Sequence, residues 1–78
     1  MPKFFFHLRE CDERLLDPEG VNLSTGEMLG FALKTVRELI AADAIDGLID
    51  LTCSLEVEDE SGRLVHTQPF ATSVQITC

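Results

Sequence analysis

Along this chain apolar and polar residues alternate with a period of two in some stretches and recur every three or four residues in one. Lys3 to Arg9 (KFFFHLR) is rich in β-formers and strand-length. Its pleat puts Phe4, Phe6 and Leu8 on one face and Phe5, His7 and Arg9 on the other. The polar cluster Glu10-Cys11-Asp12-Glu13 reads as a turn, and Arg14-Leu15-Leu16 as a short second strand. Asp17-Pro18-Glu19-Gly20 stops that strand, because Pro18 lacks a ladder donor and Gly20 accepts a positive φ. Further on, Leu51, Cys53, Leu55 and Val57 alternate with Thr52, Ser54, Glu56 and Glu58, the pattern of a strand with one buried and one wet face. Asp59-Glu60-Ser61-Gly62 predicts a hairpin turn, and Leu64 to Gln68 an antiparallel return ended by Pro69.

The helical period lies between these β segments. Ser24 and Glu27 have capping-box spacing, with Leu23 and Met28 placed as a hydrophobic staple, so a helix is predicted to start at Ser24. Leu29, Ala32, Leu33, Val36, Leu39 and Ile40 make its expected apolar stripe, and Gly47 is the expected terminator after Ala44 to Asp46. The order is ββαββ: an α+β domain of two layers, one amphipathic helix packed on an antiparallel sheet of three or four strands. Residues 1–78 form a single domain, in which the weakly alternating tail Ala71 to Cys78 reads as an extra edge strand or a frayed end.

Composition narrows the partners. Fourteen carboxylates against six Lys and Arg give a net charge of −8, and the cations are scattered rather than striped. Nucleic acid and anionic membrane are therefore excluded as expected partners. The opening MPKFFFHLRE holds three consecutive Phe, far short of a secretory or membrane-spanning run, so a cytoplasmic location is expected. Cys11, Cys53 and Cys78 cannot all pair within one chain, and a reducing compartment would keep them as thiols.

No chemistry stands out. His7 and His66 with a cysteine lack the paired spacing of a structural metal site. The run Glu56 to Glu60 has Ser61 where a calcium loop needs Gly. Glu10, Asp12 and Glu13 oppose a reactive thiolate at Cys11. Asp17 and Glu19 beside Pro18 are ordinary turn chemistry, and no glycine-rich phosphate loop is present. Neither a catalytic residue nor a cofactor is expected.

The FFFHLR opening, the D-PEG turn of Asp17 to Gly20, the helical RELIAA and the closing V-E-DESGRLV…PF of Val57 to Phe70 together resemble a family of short bacterial domains of unknown function. The resemblance runs to Phe70 and implies a compact domain without an assigned activity. One departure is the first turn, where Glu10-Cys11-Asp12-Glu13 stands in place of an opening Gly.

The functional expectation is a non-catalytic interaction or regulatory module that self-associates as a homodimer or meets another protein. One helix leaves a sheet face uncovered, and that face carries Phe5 and His7; with Val74 and Ile76 of the tail these are the expected interface residues. The alternative is a small-molecule or metal-binding domain using His7, His66 and nearby carboxylates.

Overall fold

A computed structural model describes residues 2–77. The elements are β1 (Lys3–Glu10), β2 (Glu13–Leu15), β3 (Val21–Asn22), α1 (Thr25–Asp46), β4 (Ser54–Glu58) and β5 (Leu64–Pro69). The sheet is antiparallel throughout, in the order β2-β1-β4-β5, with β3 also pairing β1. The α+β class stands, with one helix and five strands. The expected ββαββ order with three or four strands is corrected to βββαββ. The added strand is only two residues long, Lys3 pairing Asn22 and Phe4 pairing Val21, too short to leave a periodic trace in the sequence.

Ser24 caps α1 through a capping box: its hydroxyl accepts from the Glu27 N–H while the Glu27 carboxylate accepts from the Ser24 N–H. Leu23 packs against the core and Met28 is buried, as a staple requires. Gly47 closes the helix in the left-handed region at φ 85°, its N–H bonding the Ala44 carbonyl.

Met28, Ala32, Val36 and Ile40, one turn apart, form the buried edge of α1. Ala32, Val36, Leu39 and Ile40 of the expected stripe face the core, whereas Leu29 is exposed and Phe31, outside it, packs on Phe6 with ring centroids 4.9 Å apart. The core comprises those four residues with Phe4, Phe6, Cys53, Leu55, Val57 and Phe70. Burying each large side chain contributes roughly 1.5–3 kcal/mol.

After β5 the chain turns through Ala71–Ser73 and continues to Thr77 without a strand. Ser73 is buried and fixed from two elements: its carbonyl accepts from Arg37 Nε at 2.8 Å, and its hydroxyl accepts from Gln68 and donates to the Pro69 carbonyl. Cys11 is exposed and Cys53 buried, both free; Cys78 lies outside the described residues. No helix among them is long and apolar enough to cross a membrane.

Candidate functional site

The two faces of the sheet are covered in different ways. On the face away from α1, alternation along β1 and β4 presents Phe5, His7 and Arg9 beside Glu56 and Glu58, and the β1–β2 pairing adds Arg14. These side chains satisfy one another. Arg14 donates from Nε to Glu56 at 2.8 Å and from Nη2 to Glu58 at 2.5 Å, and Arg9 donates to Glu56 at 3.4 Å. Hydrogen bonding to Arg14 comes first among the causes that hold the Glu58 carboxyl below its ordinary range, and Glu58 in turn raises Arg14.

His7 is 6% exposed although it stands on this open side. Its Nδ1 accepts the Asp17 N–H at 3.0 Å, which in the neutral ring places the proton on Nε2, facing Glu58 Oε1 at 3.1 Å. Both ring nitrogens are thus engaged within the chain. Asp17 makes the return contact: one oxygen accepts the Phe6 N–H and the other accepts Glu19 and Gly20. Burial pushes this carboxyl up, but the Phe6, Gly20 and Glu19 amides outweigh it and the net shift is downward. The D-PEG loop thereby fills the gap on the β1 edge between β3 and β2, with Gly20 against Lys3 and the Phe5 ring.

His66 lies on the other side of the sheet, opposite Val57, and its Nε2 pairs with Gln68. The β-layer therefore separates the two histidines of the expected ligand site. Among the described residues no three His, Cys, Asp or Glu side chains cluster to hold a metal ion. Of the expected interface residues, Phe5 is half-buried against His7 and the loop, and His7 is enclosed as described. Val74 is half-buried on the core, and Ile76 projects from the tail at 72% exposure.

Apolar surface is also uncovered on the helix side. Four strands spaced about 4.8 Å apart make a layer roughly 19 Å wide, and a helix with its side chains is roughly 10–12 Å across, so one helix covers little more than half. α1 lies over β4 and β5. One cross-strand row on this face runs Leu55, Leu8, Leu15. Leu55 on β4 is 2% exposed, Leu8 on β1 is half-buried, and Leu15 on β2 is 52% exposed. Phe31 on α1 packs on Phe6, which shares the Leu8 face of β1, and Leu39 is half-buried two turns further along the helix. Sequence reasoning missed this site because it assigned the whole helix-side face to the core. The signal available was the ratio of four strands to one helix.

The accessible surface is larger than chain size alone predicts. A monomer of 8.7 kDa is expected to expose about 4,700 Å². This chain exposes 5286 Å².

A family model described as "Domain of unknown function (DUF6894)" matches residues 3–71. No curated protein matches the chain, and no solved structure does.

Proposed function

We propose that this chain, which belongs to the DUF6894 family of domains of unknown function, is a non-catalytic module that pairs with a second copy of itself through the open strip beside α1. The observation that carries the reading is the exposure of Leu15 on the core side of the sheet, in register with buried Leu55. Phe31 and Leu39, two turns apart on α1, form a half-buried ridge, and Phe31 packs on Phe6, which shares the Leu8 face of β1. A ridge beside a trough is self-complementary about a twofold axis, since each copy's ridge can enter the other's trough.

The edges of the sheet are less suited to pairing. β5 is irregular in register near its start, opposite Val57 and Glu58, and ends in Pro69; both features discourage a further strand. On the face away from α1 the charged side chains pair with one another, and the Asp17 loop occupies the adjoining β1 edge.

Sedimentation equilibrium of the wild type and of Leu15→Glu tests the reading. Wild type is expected to dimerise in the micromolar range, and the variant to remain folded and monomeric. Completing the burial of a half-exposed Leu is worth about 1 kcal/mol per copy, so the symmetric substitution weakens pairing at least ~30-fold. A wild-type monomer at high micromolar concentration, or a Leu15→Glu dimer of unchanged affinity, would count against it.

A further inference from the structure

The C-terminal end of α1 departs from the rest of the surface in charge and in apolar exposure together. Between Arg37 and Arg63 the chain has eight carboxylates and no Lys or Arg. The last turn of α1 carries no basic side chain, and Asp43 and Asp46 stand where the unpaired carbonyls already present negative partial charge. Asp50 follows the Gly47 cap by three residues, and one of its carboxylate oxygens accepts the Thr52 N–H and hydroxyl. This concentration of like charge opposes folding locally.

Apolar side chains emerge at the same place. The Leu48 N–H bonds the Asp43 carbonyl while Gly47 bonds that of Ala44, the two hydrogen bonds of a Schellman cap. Such a cap commonly tucks the residue after the glycine against an apolar residue in the last turn. Here its counterpart is Asp43, and Leu48 stays 77% exposed, with Ile45 at 87% and Ile49 also exposed.

We propose that this end is a docking surface for a basic amphipathic segment of another protein. The segment's apolar side chains would lie on Ile45, Leu48 and Ile49, and its Lys or Arg residues would face Asp43, Asp46 and Asp50. Charge complementarity selects this occupant. A second copy would bring the same carboxylates together, and a polyanion would be repelled. The surface is distinct from the Leu15 strip and does not depend on self-association.

The test is fluorescence anisotropy of a labelled 14-residue Leu/Lys peptide of helical periodicity, titrated with the full chain at two salt concentrations. Wild type should bind, and more weakly at the higher salt. The pair Ile45→Ser with Leu48→Ser should weaken binding at least about tenfold through lost apolar contact. The pair Asp43→Asn with Asp46→Asn should also weaken binding and flatten its salt dependence, yet raise the melting temperature by relieving the charge conflict. Leu15→Glu should bind like wild type. Three results would each overturn the proposal: no binding by wild type, undiminished binding by the Ile45/Leu48 pair, or equal affinity for a Ser/Lys peptide. Equal loss of binding when a millimolar divalent cation is added, independent of ionic strength, would assign the end to a metal ion instead and overturn it as well.

Discussion

Replacing Asp17 by Ala removes more than a turn residue. Its carboxylate accepts three backbone N–H groups, those of Phe6, Glu19 and Gly20. The Phe6 donor is partly buried on β1, where neither β2 nor β3 reaches it. An orphaned buried donor costs about 1–3 kcal/mol, while the more exposed Glu19 N–H regains water at little cost. Adding the loosened Gly20 turn gives about 2–4 kcal/mol for Asp17→Ala, a large share of the roughly 4–12 kcal/mol expected for a domain of this length. Asp17→Asn keeps one acceptor oxygen, which can hold the partly buried Phe6 N–H while the loop amides turn to water, so it should cost about half as much. Urea denaturation followed by far-ultraviolet circular dichroism measures both, and the midpoint for Asp17→Ala should fall by more than about 1 M at unchanged slope. A loss for Asp17→Ala within about 0.5 kcal/mol of zero, or equal losses for the two variants, would refute the edge-patching role.

Gly20→Ala should destabilise by more than about 1 kcal/mol, because φ is +73° and an added Cβ would stand 2.8 Å from Lys3 Cγ and 2.9 Å from Phe5 Cε2. Gly30→Ala meets nothing within 4 Å on the exposed side of α1, so thermal unfolding should show about 0.5–1 kcal/mol of added stability. Stability should fall on acidification. Hydrogen bonds hold Glu58, Glu27, Asp50 and Asp59 below their ordinary values, and for Asp17 they do so against its burial. The unfolded chain then binds more protons in the acid range, so stability present above about pH 4–5 is lost as pH drops through the folded values. Denaturation midpoints measured from pH 7 to pH 3 check this, and the Asp17→Ala curve should be flatter than that of wild type.

What the sequence revealed and what it withheld follow from the range of the interactions. The start and stop of α1 were legible because Ser24, Glu27 and Gly47 act on backbone groups within a few residues. The alternation of Leu55 and Val57 was equally local. β3 was invisible because two residues carry no period. The D-PEG turn was recognised as a turn, but the bond from Asp17 to the Phe6 N–H spans eleven residues and needed the strand register. The apolar stripe of α1 was legible at Ala32, Val36, Leu39 and Ile40; the contact of Phe31 with Phe6, which joins α1 to a strand far away in the chain, was not. The face carrying Phe5 and His7 looked available in the sequence. The Arg14 bonds to Glu56 and Glu58, which engage its charged side chains, join strands far apart along the chain. For the same reason the choice of which half of the sheet α1 covers had no signature in any single segment.

Intermolecular NOEs in a sample mixing ¹³C-labelled and unlabelled chains report directly on whether the half-covered layer is completed by a second molecule. Pairing through the strip predicts cross-peaks from the Leu8 and Leu15 methyls of one chain to the Phe31 ring and Leu39 methyls of the other. A dimer whose only intermolecular cross-peaks arise from Phe5 or Ile76, or a concentrated sample with none, would contradict it.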